Sequence, residues 1–542
     1  MMKRNTLTLL ILCTLSALLL SLPWLLPHAG ALSLVGFIPL LMADDMATCT
    51  GQKKFWIWHF YTFVLWNAVT TFWVCNATLG GGIFAILANA FQMSLVWELF
   101  RFAKRRLSGS LPYIFLMVAW IAWERQYFHA QISWPWLTLG NAFARSTASV
   151  QWYEYTGTLG GSLWVWLSNL GIFGLIRSLS DGSWTSWTRT ARKCSAIGVT
   201  LVLAGPLVLS RVIYSNYEQQ SEASLEVIIG QPNFDPYHKF EYLSQAEQTD
   251  RLIALFESEL AKDSLSEKPV LLLAPETFTS DVVLNDIESS PTLRRFRALM
   301  RRYPRAEMLF GASTYEFVNT RTSPSPLARK RGDSWMLSHN SAIMADAGVK
   351  AEVFHKSKLV VATELTPFPK IVVPLDNWLS GLMGVSGLMG RCVGQDEVST
   401  LTFGEDLPLG CAVCYESVYG EYCTDYVRRG AKAMTVITND AWWGNTPGYR
   451  QHLSYSCLRA IELRRDIARC GNTGISAFIN QKGEIVSSGP WWEEAVLRGE
   501  VNLNSKETFF VRNGDLVGRI STLVFLLMAA LLVVRLLMRN RS

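Results

Sequence analysis

Half of the 542 residues are hydrophobic and only 17% are charged, where a soluble protein carries roughly 25%. That length is more than one ordinary soluble domain needs and is enough for two. The net charge of +6 is modest and gathers beside apolar segments, which argues against a nucleic-acid partner and for orientation in a bilayer.

The apolar excess lies in residues 7–214 and 520–538, while 215–519 has the mixed composition of a water-soluble domain. A helix crosses the hydrocarbon with about 20 mostly apolar residues. Lys3 and Arg4 precede an apolar run from Leu7 to Leu26 that resembles a signal peptide. No small-x-small cleavage site follows, so the run reads as an uncleaved first span. Further spans are predicted over 29–43, 56–75, 82–100, 112–128, 156–177, 195–213 and 520–538. The second is short, and charge placement decides that it crosses. With eight crossings and the N-terminus inside, Lys53/Lys54, the run Arg101, Lys104, Arg105, Arg106, and the group Arg177, Arg189, Arg192, Lys193 all face the cytoplasm, as do Arg539 and Arg541. Omitting the second span puts the strongest basic loop outside, against the positive-inside rule. The same count places 215–519 outside the cytoplasm. Asn67, Asn89, Gln92 and Glu98 read as interhelical or interfacial polar groups rather than a transport pathway.

From Ser224 the pattern changes to short strands separated by helices. Strands are predicted at Leu225–Ile229, Val270–Ala274, Met308–Ala312, Ser341–Met344, Leu409–Val413, Met434–Ile437 and Ile475–Ile479. Amphipathic helices are predicted at Ser244–Ala261, Thr292–Tyr303 and Arg450–Ala468. Alternation of this kind implies an α/β sheet covered by helices, with its chemistry beyond the carboxyl ends of strands.

Three segments end in reactive side chains at such positions. Val270-Leu-Leu-Leu-Ala-Pro-Glu276 delivers a carboxylate directly after a buried strand; taken alone, it is more often a cap or a solvated turn. Phe354-His-Lys-Ser-Lys-Leu-Val360 carries two lysines, which alone are usually solvated. Gly410-Cys-Ala-Val-Cys-Tyr-Glu416 is a small-residue strand ending in a thiol, where a tight strand-to-helix turn exposes a nucleophile near free backbone N–H groups. A lone cysteine is commonly a small buried hydrophobe. Cys411-x-x-Cys414 also admits a redox or metal pair, although the stretch reads as a strand and no second pair is spaced for zinc.

These segments, in the order Glu, Lys, Cys, resemble the nitrilase (carbon–nitrogen hydrolase) superfamily. With the flanking spans the chain is similar to the apolipoprotein N-acyltransferase family over essentially its whole length. The motifs are A-P-E-T around Glu276, F-H-K-S-K-L-V around Lys356, C-Y-E at Cys414, T-N-D-A-W-W-G at 438–444, R-A-I-E-L-R-R at 459–465 and N-T-G-I-S at 472–476. The resemblance implies an α-helical multi-span membrane domain (1–214, with a last helix and tail at 520–542) and an α-β-β-α sandwich at 215–519. It implies Glu276 as general base, Lys356 rather than Lys358 as the oxyanion-stabilising cation, and Cys414 as nucleophile, supported by Glu364, Tyr415 and Glu416. Two departures stand out. Val361-Ala-Thr-Glu364 replaces the family's usual Pro-Phe-Gly-Glu, and Phe240 stands where a lipid-contacting Trp is common.

The implied activity is transfer of an acyl chain from a membrane phospholipid, through a thioester, to the α-amine of diacylglyceryl-cysteine in an apolipoprotein. The implied location is a bacterial inner membrane with the catalytic domain facing the periplasm. A membrane-tethered amidase of small soluble amides shares the triad, and eight spans disfavour it. A scaffold or transporter with a degenerate domain is disfavoured by the intact triad. The apolar, Gly-rich stretch 371–394 around Trp378 reads either as an arm dipping into lipid or as a buried loop, and Trp442 and Trp443 are further lipid-contact candidates. The pattern shows no metal site and no nucleotide loop, so no cofactor is expected. Disulfides are permitted outside the cytoplasm, with Cys414 kept free.

Overall fold

A computed structural model describes residues 2–236, 243–263, 267–348, 350–383 and 387–539. All eight apolar segments are helical: Met2–Leu25, a 3-10 turn Gly30–Leu34 leading into Ile38–Cys49, then Trp56–Thr71, Leu79–Lys104, Leu111–Tyr127, Tyr153–Ser180, Arg189–Asn216 and Leu516–Arg539. Among the described residues, six stretches are long and apolar enough to cross a membrane. Trp56–Thr71 and Leu111–Tyr127 are shorter, at 16 and 17 residues. The second segment continues past its expected end because Asp44 and Asp45 do not stop it. Lys104 meets them at 2.5 and 2.6 Å, and Arg101 meets Asp44 at 2.9 Å.

Outward faces of these helices carry bare apolar side chains such as Ile11, Leu87, Leu201 and Leu527. Inward, Phe37, Trp66, Trp97, Trp120 and Trp166 are fully buried, with Phe37 stacked on Trp166 at 4.4 Å between centroids. Lipid tails are as apolar as these rings, so close packing and ring geometry, rather than escape from water, hold the helices together.

The remaining chain is a four-layer α-β-β-α sandwich. The first sheet runs, in spatial order, Ala495–Leu503, Ala223–Gln231, Val270–Leu273, Ala306–Val318, Ser334–Ala345 and Arg329–Arg331; Thr279–Val283 pairs with Ala306–Val318, and Ala351–His355 with Ser334–Ala345. The second runs Ile485–Ser488, Ala477–Ile479, Ile467–Gly471, Ala433–Thr438, Leu407–Val413 and Leu401–Phe403. Alternation along one strand shows the layering. Leu225, Val227 and Ile229 enter the core shared with Val413, Val436 and Ile437 of the other sheet. Ile228 faces Leu252, Phe256 and Phe296 of the outer helices Gln245–Leu260 and Pro291–Arg302.

Each sheet is parallel at its centre. The strand Ala351–His355 is antiparallel to Ser334–Ala345, itself antiparallel to Ala306–Val318. It therefore points the same way as Ala306–Val318, and its carboxyl end reaches the edge where the other parallel strands finish. Glu276, Lys356, Cys414 and Asn439 are all delivered there.

Three expectations need correction. The helix expected over Arg450–Ala468 spans Pro447–Leu463, and Arg464 at φ +49° turns the chain into the strand Ile467–Gly471. Beyond the exposed Arg450, its Arg and Glu side chains do not form a solvated face: Gln451–Leu463 are buried throughout, and Arg459 donates to Glu462 at 2.9 Å. The strand expected at Ile475–Ile479 is only Ala477–Ile479. The stretch expected as an arm dipping into lipid or as a buried loop is not a buried loop: it begins with the helix Pro369–Met383, whose Ile371, Leu375, Trp378 and Leu382 are exposed.

Helix Pro447–Leu463 also joins the two parts of the molecule. Leu453, Cys457 and Ala460 pack against the second sheet, whereas Tyr455, Leu458 and Ile461 join the core of the membrane helices. Trp24 donates to the Tyr455 hydroxyl at 3.0 Å, and Trp136 donates to Gln451 Oε1 at 2.7 Å.

Candidate active site

The strand Val270–Leu273 is followed by Ala274 and Pro275, and the next residue is Glu276, whose side chain is buried. The chain here lies so close to Ala306–Val318 that a Cβ on Gly311 would stand 2.5 Å from Glu276 Cα. Only glycine fits at that crossing. Glu276 Oε1 accepts from Lys356 Nζ at 2.9 Å and from Asn340 Nδ2 at 2.8 Å, and Oε2 accepts from the Asn439 backbone N–H at 3.1 Å.

Lys356 follows Ala351–His355 and is 1% exposed. Its ammonium also meets both oxygens of Glu364, at 3.1 and 3.0 Å. Burial works against this charge, but the Glu276 and Glu364 carboxylates outweigh it and hold the lysine well above its ordinary value. Breaking such a buried pair by removing one partner costs about 3–5 kcal/mol. Asn340 donates to both carboxylates, at 2.8 Å to Glu276 and 2.6 Å to Glu364. Lys358 points elsewhere, its ammonium 5.4 and 5.3 Å from the ring centroids of Tyr419 and Tyr422.

Cys414 ends the strand Leu407–Val413 and opens the 3-10 turn Cys414–Val418 with φ +53°. A left-handed backbone on a residue with a Cβ costs about 1–2 kcal/mol, a strain typical of nucleophiles held at sharp strand-to-helix turns. Burial pushes the thiol well above its ordinary pKa; the Glu276 carboxylate pushes the same way, and Lys356 opposes both. At rest the sulfur is a thiol. All ten cysteines are free, and Cys411 is buried in the sheet core.

Glu416 ties the Cys414 turn to the lysine segment. One oxygen accepts from the Ser357 and Lys358 N–H groups at 2.7 and 3.3 Å and from Tyr422 at 2.8 Å, and the other accepts from Val413 N–H at 2.8 Å. Tyr415 reaches into the membrane part, where its hydroxyl donates to the Ser133 carbonyl at 3.0 Å and its ring stacks on Trp134.

Beneath Cys414 lies a polar group of which the sequence motifs include only Asp440, without assigning it a role. Asp440, His452 and Arg469 are completely buried. Asp440 faces His452 Nδ1 at 2.8 Å and accepts from Arg469 at 2.6 Å. Burial alone raises a carboxyl, but His452 and Arg469 bring Asp440 down to about 2. Cys414, Asp440 and His452 offer ligand atoms within 4.8 Å of one another. Asp440 and His452 are already engaged with each other and with Arg469.

Of the lipid-contact candidates, Trp378 and Trp442 are exposed at 62% and 40%. Trp443 turns inward, with its ring 4.5 Å from Trp73 and 5.7 Å from Trp136. Phe240 lies outside the described residues.

Residues 215–508 match the carbon-nitrogen hydrolase family model, more than half of the chain. The protein belongs to that family. Residues 16–171 match a second model, the apolipoprotein N-acyltransferase N-terminal domain. Among curated relatives, the apolipoprotein N-acyltransferase of Chlorobaculum tepidum is 27% identical over 91% of this chain and 90% of its own. That of Geobacter metallireducens is 26% identical over 93% and 91%. Among solved structures, Nit3 of Saccharomyces cerevisiae, of the nitrilase superfamily, is 14% identical, with a TM-score of 0.37 over 52% of this chain and 91% of its own. A carbon–nitrogen hydrolase domain thus adjoins a helical part that matches the apolipoprotein N-acyltransferase N-terminal domain, with Tyr415, next to Cys414, in contact with that part.

Proposed function

We propose that this chain is a membrane acyltransferase that takes an acyl chain from a phospholipid onto Cys414 and passes it to the α-amine of diacylglyceryl-cysteine in an apolipoprotein. In this reading residues 1–214 and 520–542 form the membrane part, 215–519 the catalytic part, and the catalytic part faces the periplasm from a bacterial inner membrane. The observation that carries the reading is the joint between the two parts. The residue after the nucleophile, Tyr415, is hydrogen-bonded and stacked onto the Ser133–Trp134 segment that follows a membrane helix. A hydrolase of soluble amides has no use for a nucleophile braced against a bilayer-embedded bundle.

Ester-to-amide transfer through a thioester divides one hard step into two easier ones. In the first half the Cys414 proton passes to Glu276 as sulfur attacks the ester carbonyl. The tetrahedral oxyanion is held by Lys356 and the Tyr415 N–H, and one such donor is worth about 3 kcal/mol. The carbon–oxygen bond then breaks, and Glu276 returns its proton to the departing lysophospholipid oxygen. In the second half the neutral amine attacks the thioester and gives a proton to Glu276. As the carbon–sulfur bond breaks, that proton restores the thiol. Lys356 remains charged throughout, compensating whichever carboxylate is ionised. Burial of Glu276 and Lys356 around the half-buried Cys414 limits the access of water to the thioester.

The test is mass spectrometry of the purified full-length protein after incubation with phospholipid. An acyl adduct on the Cys414 peptide is expected, absent in Cys414→Ser and discharged by a diacylglyceryl peptide. Turnover of small amides without any lipid adduct would instead establish the amidase.

A further inference from the structure

The Glu–Lys–Cys site leaves unexplained why a histidine, an aspartate and an arginine are buried together directly under the nucleophile. Cys, His and Asp side chains within 4.8 Å suggest at first a histidine that deprotonates the thiol. The bonds point elsewhere. His452 Nε2 lies 3.1 Å from the carbonyl oxygen of Cys414 and 3.0 Å from Ser417 Oγ, and Ser417 Oγ–H donates to that same carbonyl at 2.8 Å. The other ring nitrogen is taken by Asp440, which Arg469 also binds. Arg469 is anchored in turn on the Ile475 carbonyl at 2.6 Å. Trp136 and Trp443 flank the imidazole at centroid distances of 5.8 and 5.5 Å. The ring is thus fixed at both nitrogens and at its sides.

The carbonyl of Cys414 and the N–H of Tyr415 belong to one planar trans peptide and point in opposite directions. Whatever holds the carbonyl down toward Ser417 and His452 turns the Tyr415 N–H up, away from them. Tyr415 is the second residue of the turn Cys414–Val418, so its N–H has no partner within that turn. We propose that His452, braced by Asp440 and Arg469, is a positioning residue that together with Ser417 fixes the Cys414–Tyr415 peptide so that its N–H serves as the oxyanion donor beside Lys356. The φ of +53° at Cys414 is the conformation these two bonds maintain. This inference rests on the acyl-transfer reading and adds to it a role for residues that touch neither substrate nor sulfur.

Two reactions of the same sulfur separate this role from its rivals. Acylation passes through an oxyanion. Alkylation by iodoacetamide needs the thiolate but forms none. In full-length protein in detergent, both are read at the Cys414 peptide by mass spectrometry, alongside the thermal unfolding curve. For His452→Leu the acylation rate constant should fall roughly 100-fold, the loss typical of one oxyanion donor, with KM and the alkylation rate within about 3-fold of wild type. His452→Gln, which retains a donor near the Nε2 position, should recover at least about 10-fold of that loss. Ser417→Ala removes the second bond to the same carbonyl and should show the same split on a smaller scale; it carries the test if His452→Leu does not fold. Alkylation falling in step with acylation overturns the proposal, since His452 would then act on the thiol or merely hold the site together. Undiminished acylation in both variants overturns it as well. Failure of the wild-type protein to form any acyl adduct would instead reject the acyl-transfer reading itself.

Discussion

Cys414 and Glu276 are coupled in a way that yields opposite effects on two reactions. The carboxylate is one of the causes that raise the thiol's pKa, and Lys356 opposes it. Replacing Glu276 by Gln removes the negative charge and leaves Lys356 less neutralised. Both changes favour thiolate, so the thiol's pKa moves down from its raised position. Alkylation of Cys414 should therefore reach half its maximal rate at a lower pH in Glu276→Gln, with about 10-fold more thiolate at a given pH for each unit of that shift. Acyl transfer should fall by about 100- to 10,000-fold, because the group proposed as base and acid is gone. Parallel loss of both reactions would reduce Glu276 to a packing role. Glu276 and Cys414 were legible in sequence because each closely follows an apolar run that reads as a buried strand, whereas Lys356 follows Ala351–His355, a partly buried strand with polar Glu352 and His355 that the sequence pattern did not show. Asn340 was not legible, because its partners lie 64 and 24 residues away and only the register of the first sheet brings them together. His452 and Arg469 were also hidden. Charged residues on a helix and a strand read as solvated until neighbouring layers are seen to cover them, and here they are completely buried.

At the scale of elements, the helix Pro369–Met383 lies in the apolar, Gly-rich stretch that the sequence left open between an arm dipping into lipid and a buried loop. Its exposed Ile371, Leu375, Trp378 and Leu382 are spaced by four, three and four residues, one face of a helix. The opposite face carries Asp376, buried and accepting from Leu388 N–H and from Arg391, each at 2.8 Å. A polar side holding to protein and an apolar side facing outward is the reverse of a helix at a water surface. It matches a helix lying on lipid. The Phe368 N–H just before it donates to Gln131 at 2.9 Å, which ties it to the end of the membrane part near Ser133. Leu375→Glu with Leu382→Glu should lower turnover of vesicle phospholipid by about 10-fold or more, since each buried leucine is worth about 1.5–3 kcal/mol. The same double substitution should leave hydrolysis of a water-soluble short-chain ester within about 2-fold and the unfolding temperature unchanged, because both residues are already exposed. Equal loss on both substrates would remove the helix from lipid handling.

For the whole molecule, the orientation proposed above follows from loop charges, and two native cysteines can report on it. Cys49 and Cys194 are exposed, and each sits at a helix end beside basic residues: Lys53 and Lys54 for the first, Arg189, Arg192 and Lys193 for the second. Positive-inside placement puts both on the cytoplasmic side. Ser289, exposed on the catalytic part, lies on the other side in the same topology. In spheroplasts stripped of the outer membrane, a membrane-impermeant maleimide should label a Ser289→Cys variant at once. Cys49 and Cys194 should become reactive only after lysis. Labelling of Cys49 and Cys194 in intact spheroplasts, with Ser289→Cys protected, would invert the molecule. The strand-end edge that gathers Glu276, Lys356 and Cys414 would then open toward the inner leaflet, and lipoprotein amines presented outside the cytoplasm would lie a full bilayer away from the thioester meant to acylate them.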